Sequence, residues 1–179
     1  MRTWLFQGNP DTFDLDGYLA DHSTVTWAVR QESLASEMRE GDRVYFWRAA
    51  GGGKRPSGVV GAGRLTDQPS RRPDDPDSLD YWNDPSDALA NRLRVTVELH
   101  PRDDARLLSK EALVADPLLS ELRIFKMRNE TNYRLSLEEA ERLDRTSSNK
   151  ASGISSPTRM VGSATYYGTP QLPGRLARN

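Results

Sequence analysis

The clearest strand signal in this chain of 179 residues is Arg92-Leu93-Arg94-Val95-Thr96-Val97-Glu98-Leu99. Apolar and polar side chains alternate through the whole segment. Because successive side chains of a β-strand point to opposite faces, the alternation predicts one face in a core and the other in water. We therefore expect Arg94 to lie on the wet face, together with Thr96 and Glu98.

Four more extended segments precede this strand, at about residues 3–7, 24–29, 43–47 and 57–65. They are rich in β-branched and aromatic residues and are separated by turn signals such as Gly8-Asn9-Pro10 and Gly41-Asp42. Short helices are predicted near residues 14–20, after Ser109 as far as Ala115, and from the capping box Ser136-Leu137-Glu138-Glu139 to about Arg145. Five or so strands with short helices between them indicate an α+β fold around a strongly bent sheet or small barrel.

The composition is that of a polar chain. Hydrophobic residues make up 36% of it, charged residues 28%, and the mean hydropathy is -0.74. No stretch approaches the roughly 18 apolar residues of a membrane helix. The absence of cysteine excludes disulfides and thiolate metal sites. We expect a cytoplasmic protein that does not contact a membrane.

Charge is unevenly distributed along the chain, although the net charge is only -1. Residues 67–87 contain many aspartates and four prolines, which predicts a long, exposed, acidic loop. Residues 146–179 contain four cations and no acid, and their Ser/Gly/Thr/Pro composition has no period. We therefore predict a folded domain of residues 1–145 followed by a basic tail or linker.

Signatures of catalysis are missing from the sequence. His22 and His100 have no metal-ligand spacing and no cysteine accompanies them. No acidic residue stands two positions before a lysine, so the carboxylate–lysine motif of many metal-dependent nucleases is absent. The glycines of Gly58-x-x-Gly61-x-Gly63 reverse the order of a dinucleotide fingerprint and lie inside a predicted strand. The sequence predicts no catalytic residue, no metal and no cofactor.

Four tryptophans, Trp4, Trp27, Trp47 and Trp82, lie beside predicted strands or in a loop. Several such rings in a small β-rich domain build either a core or a slot that stacks on a flat ligand. Trp4, at the start of a central strand, is predicted to be core. Trp47 ends the aromatic run Tyr45-Phe46-Trp47 and fits either a pocket wall or a core.

Several blocks of sequence, taken in order, resemble an EVE domain. They are Trp4-Leu5-Phe6-Gln7-Gly8-Asn9-Pro10, Phe13-Asp14-Leu15, Trp27-Ala28-Val29-Arg30, Gly41-Asp42-Arg43-Val44-Tyr45-Phe46-Trp47, Gly58-Val59-Val60-Gly61-Ala62-Gly63 and Arg128-Asn129-Glu130-Thr131-Asn132-Tyr133-Arg134-Leu135-Ser136-Leu137-Glu138-Glu139-Ala140. The resemblance covers about residues 3–145. EVE domains belong to the PUA-like superfamily, which includes the YTH readers of methylated adenine in RNA. The resemblance therefore implies a PUA-like bent sheet with a pocket for a modified, flipped-out base.

The resemblance also implies which residues form the pocket. Trp27 matches the first cage tryptophan of the family. Tyr81 and Trp82 lie in the loop where relatives place a second aromatic ring, and the sequence does not choose between them. Asn9 and Asp11 follow the first strand, where they either read a polar edge of the base or only form the turn. Phosphate contacts are predicted for the basic residues that flank the matched blocks and loop tips, namely Arg30, Arg48, Lys54, Arg55, Lys126 and Arg128.

These features predict a nucleic-acid-binding module that recognises a modified, methylated base in DNA. A stacked base contributes roughly 1–3 kcal/mol, and a buried methyl group adds about 0.8 kcal/mol. Similar bacterial domains are often fused to nucleases in modification-dependent restriction, so the resemblance implies a fused or separate nuclease as partner.

Three alternatives stay open at the level of sequence. PUA-like domains commonly bind RNA, and a stacking slot does not itself read the sugar. An enzyme acting on a nucleotide-like ligand would use Asp11 or Glu130 as its acid or base. An interaction domain would bury its aromatic strands against a partner protein.

Overall fold

The computed structural model of the chain describes residues 1–52, 55–101 and 107–151. Within them, eight strands form one mixed sheet: β1 Thr3–Gly8, β2 Thr24–Ala28, β3 Arg43–Arg48, β4 Gly58–Leu65, β5 Ser70–Arg72, β6 Arg92–Leu99, β7 Leu108–Ser109 and β8 Asn132–Leu135. The described α-helices are α1 Leu15–Asp21, α2 Glu32–Ala35, α3 Ser86–Leu89, α4 Lys110–Val114, α5 Arg123–Lys126 and α6 Leu137–Ala151. Two 3₁₀ helices, Pro76–Tyr81 and Leu119–Glu121, complete the described elements.

The main path of the sheet is β2-β6-β4-β3-β1-β8, with β5 beside β6 and β7 beside β4. Strands β1 and β3 are parallel, with Trp4 opposite Val44, whereas the other pairs are antiparallel. The sheet curls strongly but does not close through a strand ladder between β2 and β8. The predicted α+β class with a strongly bent sheet is therefore confirmed.

Each face of the central strands is covered by its own core, because the aromatic runs of β1 and β3 are apolar on both faces. The first core contains Trp4 and Phe6 of β1 and packs against α1 and α2. The second core contains Leu5 of β1 and Trp47 of β3, and it packs against α4, α5 and α6. Trp4 is fully buried and its indole N–H donates to Asp42 Oδ2 at 3.0 Å, so its predicted core position is observed.

The predicted helix caps are present. Ser109 Oγ accepts from the Ala112 amide at 3.3 Å. Ser136 and Glu139 form the reciprocal capping box, with distances of 3.1 Å and 2.6 Å. Helix α6 then continues to Ala151, six residues beyond the expected end at Arg145. The division into a domain and a basic tail stays a prediction, because residues 152–179 lie outside the described residues.

Two expectations about exposure are wrong. Residues 67–87 are not a long exposed loop, because they include β5, a 3₁₀ helix and the first half of α3, and Asp74 is buried. This segment folds over the polar face of β6, where Asp67 Oδ2 accepts from Thr96 Oγ1 at 2.8 Å. Arg94, expected in water on that same face, is therefore only 1% exposed.

No helix within the described ranges is both long enough and apolar enough to cross a lipid bilayer.

Candidate functional site

A cavity of about 220 Å³ opens where the ends of β1 and β2 meet residues 9–14 and 73–83. Its apolar lining includes Phe13, Trp27 and Trp82. Its polar lining includes Gln7, Asn9, Thr26, Arg30, Asp74, Arg94 and Thr131. The volume lies below the roughly 300–1,000 Å³ of pockets for drug-sized ligands. The space therefore suits one flat ring system rather than an extended molecule. We call this cavity the aromatic pocket.

Phe13 connects the two tryptophans of the aromatic pocket. The Phe13 ring centroid lies 4.9 Å from that of Trp82 and 5.7 Å from that of Trp27. Trp27 also makes an edge contact with Phe46 at 5.2 Å, so it belongs both to the pocket wall and to the first core. Among the described residues, no group accepts a hydrogen bond from the Trp27 indole N–H. That N–H is available to a ligand.

The position of Trp27 depends on a glycine at the end of β1. A Cβ atom on Gly8 would lie 3.2 Å from Trp27 Cη2 and 3.0 Å from Leu15 Cδ2. Such contacts are too close for a well-packed core. Gly8 therefore lets the indole ring of Trp27 lie directly against the strand end.

The two loops that carry Phe13 and Trp82 are joined by backbone hydrogen bonds. The Asp14 amide donates to the Tyr81 carbonyl at 2.8 Å, and the Asn83 amide donates to the Thr12 carbonyl at 3.1 Å. These bonds make the two loops one unit, so the aromatic rings on it keep a fixed relative position.

A buried ion pair between Asp74 and Arg94 lies at the wall of the aromatic pocket. Arg94 Nη1 is 2.9 Å from Asp74 Oδ2, and the two side chains are 1% and 2% exposed. The same carboxylate oxygen accepts from Trp82 Nε1 at 3.1 Å, and Asp74 Oδ1 accepts from the Asp75 amide at 3.1 Å. Arg94 thus fixes the carboxylate that in turn orients the Trp82 indole.

Burial has opposite effects on the two partners. Loss of solvent raises the pKa of Asp74, while the positive charge of Arg94 and the Trp82 N–H oppose this rise. Loss of solvent lowers the pKa of Arg94, and the negative charge of Asp74 opposes that change. Because protein donors already occupy both carboxylate oxygens of Asp74, its role here is to hold the pocket wall in place.

The structure brings only some of the predicted pocket residues to the cavity. Trp27, Trp82 and Asn9 line it. Tyr81 lies behind the wall, where its ring contacts Tyr18 at 5.1 Å and its hydroxyl donates to Asp21 Oδ2 at 2.8 Å.

Trp47 and Asp11 lie outside the lining. Trp47 alternates with Phe46 along β3, so its side chain enters the second core, where it contacts the Phe125 ring at 5.6 Å. Asp11 accepts from the Gly52 amide through both carboxylate oxygens, at 2.9 Å and 2.8 Å. A direct contact of either residue with a base stays a prediction that the geometry of this site does not support.

Five of the six predicted phosphate-binding residues lie in the described part of the chain, and they fall into two groups. Three are already paired with acids: Arg48 with Asp16 at 2.5 Å, Arg55 with Asp16 at 3.0 Å, and Lys126 with Glu121 at 2.6 Å. Lys54 lies outside the described residues.

Arg30 and Arg128 form the second group, since neither side chain has an ion-pair or hydrogen-bond partner among the described residues. Arg30 lines the aromatic pocket. Gln7, which also lines it, donates from Nε2 to the Arg128 carbonyl at 3.2 Å. Arg30 therefore lies in the pocket lining, whereas Arg128 contacts the lining residue Gln7 through its backbone carbonyl and lines a separate cavity with Phe125 and Met127.

Several lining residues were not predicted as site residues, notably Phe13, Thr26, Asp74 and Arg94. Phe13 follows the turn that contains Asn9, and an apolar residue so close to a predicted pocket residue is a usable signal. No sequence pattern predicts the Asp74–Arg94 pair. Asp74 lies in an acidic segment, and the alternation in β6 predicts that Arg94 faces water. Within the described part of the chain, no cluster of three metal-ligating side chains occurs.

Residues 2–145 match the EVE domain family, and the chain belongs to this family. No curated protein matches the chain.

Solved structures of similar fold come from distant organisms. A protein from Rhodopseudomonas palustris is 17% identical with a TM-score of 0.60, covering 83% of this chain and 94% of its own. A protein from Leishmania major is 22% identical with a TM-score of 0.61, covering 84% and 96%. Human THYN1, solved in complex with DNA containing 5-methylcytosine, is 17% identical with a TM-score of 0.57, covering 82% and 98%. At these identities the likeness shows a shared fold.

Proposed function

We propose that this protein is a reader module that binds a methylated base of DNA after the base has flipped into the aromatic pocket. It acts by binding and not by catalysis. The supporting observation is a cavity walled by Phe13, Trp27 and Trp82, whose lining also contains the unpaired Arg30.

The energetics of such a site are favourable in principle. Extrusion of a base costs a few kcal/mol, and stacking on an aromatic face returns roughly 1–3 kcal/mol per base. Arg30 and Arg128 supply positive charge where the backbone of a bound strand would pass. Phosphate contacts of this kind position the nucleic acid, whereas the pocket itself distinguishes the bases.

The rival proposal of an enzyme receives little support from the two carboxylates it would need. Asp11 is held by the Gly52 amide outside the aromatic pocket. Glu130 pairs with Arg123 at 2.5 Å, and the hydrogen bond from that guanidinium lowers the pKa of Glu130. Neither group lines the aromatic pocket, so a general acid–base role would need a large rearrangement.

The choice of DNA rests on the similarity in fold to human THYN1, whose structure contains 5-methylcytosine DNA. We further propose that the reader works together with a nuclease, fused or separate, which would give the recognition event a consequence. The proposal of a nuclease partner rests on the resemblance to bacterial domains that are fused to nucleases.

The decisive experiment measures binding of labelled oligonucleotides by fluorescence anisotropy at one fixed salt concentration. The panel contains one sequence with cytosine, 5-methylcytosine, adenine or N6-methyladenine at its centre, as duplex DNA, single-stranded DNA and RNA. One methylated DNA should bind at least about fourfold more tightly than its unmodified match, which corresponds to about 0.8 kcal/mol for a buried methyl group. Equal affinity for all members, or preference only for RNA, would overturn the proposal.

A further inference from the structure

Another cavity, also of about 220 Å³, shares no described lining residue with the aromatic pocket. It lies beside β4, between the start of β3, the end of β6 and helix α6. Its apolar lining includes Leu19, Val60 and Leu99, and its charged lining includes Arg43, Arg64 and Asp144. We call this space the β4 cavity.

The glycine pattern Gly58-x-x-Gly61-x-Gly63 explains why the sheet is open beside β4. A Cβ atom on Gly58 would lie 2.3 Å from the Leu108 carbonyl oxygen, and one on Gly63 would lie 2.3 Å from the Glu98 carbonyl oxygen. These two glycines therefore let β7 and β6 approach the same edge of β4 at different points. The residues of β4 between the two pairings line the cavity.

Asp144 of α6 fixes the orientation of Arg43 at the cavity wall. Its two carboxylate oxygens accept from different donors, Oδ2 from Arg43 Nη1 and Oδ1 from the Tyr45 hydroxyl. Burial raises the pKa of Tyr45, and the hydrogen bond to Asp144 raises it further, so the hydroxyl remains a donor at neutral pH. Two protein donors thus already engage this carboxylate, and the Arg43 side chain is only 21% exposed.

One edge of the Arg43 guanidinium has no partner among the described residues. Arg43 donates to Asp144 through Nη1 alone, and its Nε is buried without an acceptor. A buried donor without a partner costs free energy, so a ligand oxygen that pairs with it is stabilised. The Nε and Nη2 groups of an arginine bind a carboxylate through two parallel hydrogen bonds. Arg123 shows this geometry in the same chain, with Glu130 oxygens 2.8 Å from its Nε and 2.5 Å from its Nη2.

The charge and the walls of the β4 cavity favour a small organic acid. Two guanidinium groups line it against one carboxylate, which gives the described lining an excess of positive charge. Apolar side chains cover much of the remaining wall, and the volume lies below that of pockets for drug-sized ligands. A phosphate ion could use the same arginine edge but would leave the apolar wall without a contact.

We propose that the β4 cavity binds a small carboxylic acid with an apolar body of about one ring. The carboxylate pairs with Nε and Nη2 of Arg43, and the apolar body packs against Leu19, Val60 and Leu99. This site is separate from the aromatic pocket, and its ligand needs no nucleic acid. The proposal therefore does not depend on the reader function.

The test titrates the isotope-labelled chain of 179 residues with benzoate and follows the backbone amides by NMR. Benzoate should shift the amides of Gly61, Ala62 and Gly63, and the shifts should saturate with a Kd of about 1 mM, the scale for a ligand of this size. Benzamide has the same shape without the charge and should bind at least about tenfold more weakly. Inorganic phosphate should bind more weakly than benzoate, because it does not contact the apolar wall.

Arg43→Lys is the discriminating variant, because lysine keeps a positive charge beside Asp144 but lacks the two parallel donors. It should weaken benzoate binding by about tenfold. Arg64→Lys is the matched control at the same cavity and should change the affinity by less than about twofold. Asp144→Asn removes a negative charge near the ligand and should strengthen binding by about threefold, which provides a second readout if Arg43→Lys loses its fold. Melting curves check the fold of each variant.

Equal binding of benzoate and benzamide, or an unchanged affinity of Arg43→Lys, overturns the role of the Arg43 edge. Tighter binding of phosphate than of benzoate overturns the carboxylic acid as the ligand class. Shifts confined to Gly8 and Asn9 would place benzoate in the aromatic pocket and overturn the assignment of the cavity. The absence of saturable shifts up to about 10 mM benzoate overturns the proposal as a whole. None of these results bears on the binding of methylated DNA, so the reader function is tested separately.

Discussion

The side-chain amide of Asn132 donates from Nδ2 to the Ala28 carbonyl oxygen at 3.1 Å, which connects β8 to the end of β2. Asn132 Oδ1 also accepts from the Arg30 amide at 2.9 Å, and the residue is fully buried. One asparagine thus joins the two ends of the curled sheet where no strand ladder does. It also fixes the backbone from which Arg30 reaches the pocket mouth.

We expect Asn132→Leu, a change of similar volume, to lower the free energy of unfolding by about 2–4 kcal/mol, because it leaves two buried backbone groups without partners. Urea denaturation measures this loss. Asn129→Ala, at an exposed asparagine of the preceding turn, should change stability by less than about 0.5 kcal/mol. Equal stability of the two variants would show that the link between β8 and β2 contributes nothing.

Trp82→Ala should weaken binding of the methylated oligonucleotide by about 1–3 kcal/mol, the scale of one stacking face. Trp27→Ala should cause a similar loss of affinity and also lower stability by about 3–5 kcal/mol, because Trp27 packs on Phe46 in the first core. Calorimetric titration and urea denaturation separate the two effects.

Trp47→Phe provides the control on the opposite face of the sheet. It should reduce stability while the ratio of affinities for methylated and unmodified DNA stays constant. If Trp27→Ala binds normally once folded, Trp27 is a core residue only and its place in the cage is lost.

Local sequence patterns predict much of this fold because they record backbone periodicity. The strand β6, the Ser109 cap and the Ser136–Glu139 capping box all appear as expected. Periodicity does not reveal what covers a polar face. Arg94 reads as solvated because its neighbours alternate, and only the folded segment that carries Asp74 shows that it is buried.

The pocket residues illustrate the same limit. The family resemblance points to Trp27 and leaves Tyr81 and Trp82 open as the second ring, whereas the structure shows that Trp27 and Trp82 line one cavity. Trp47 was open between wall and core until its alternation with Phe46 along β3 placed it in the second core. The sequence also does not predict which basic residues form ion pairs. Among the described residues, Arg48 pairs with Asp16, whereas the Arg30 side chain has no acidic partner.

The Asp74–Arg94 pair supports the next prediction. Asp74→Asn keeps an acceptor for the Trp82 indole but leaves the Arg94 charge buried without its counterion, which should cost about 3–5 kcal/mol of stability. Combining it with Arg94→Met should restore much of that loss, because the unpaired charge is then gone. Thermal melting of the single and double variants measures the coupling. Additive losses would show that the two side chains do not depend on each other.

Arg30→Gln and Arg128→Gln should each weaken binding to methylated and unmodified DNA by a similar factor. Each should also reduce the slope of log affinity against log salt by about 1, because one phosphate contact is lost. Lys126→Gln is the matched control, since Glu121 already neutralises that ammonium at 2.6 Å. A change in the methylated-to-unmodified ratio would contradict a purely electrostatic role. Affinity that does not vary with salt would contradict phosphate contacts altogether.

The end of α6 changes where a truncation should be made. The helix runs to Ala151, Ser147 is only 9% exposed, and Lys150 Nζ donates to the Leu107 carbonyl. A cut at the expected boundary after Arg145 would remove the last turns of this helix together with these contacts.

We therefore expect deletion of residues 146–179 to lower the melting temperature, whereas deletion of residues 152–179 should leave it nearly unchanged. The shorter deletion still removes Arg159, Arg175 and Arg178, the three arginines of a segment that has no acid. It should reduce affinity for methylated and unmodified DNA by a similar factor, because phosphate contacts carry little information about the base. Melting curves and anisotropy titrations of both deletions, at one salt concentration, provide the comparison. A large loss of thermal stability on removing only residues 152–179 would show that this segment completes the domain, and the predicted boundary between domain and tail would then be wrong.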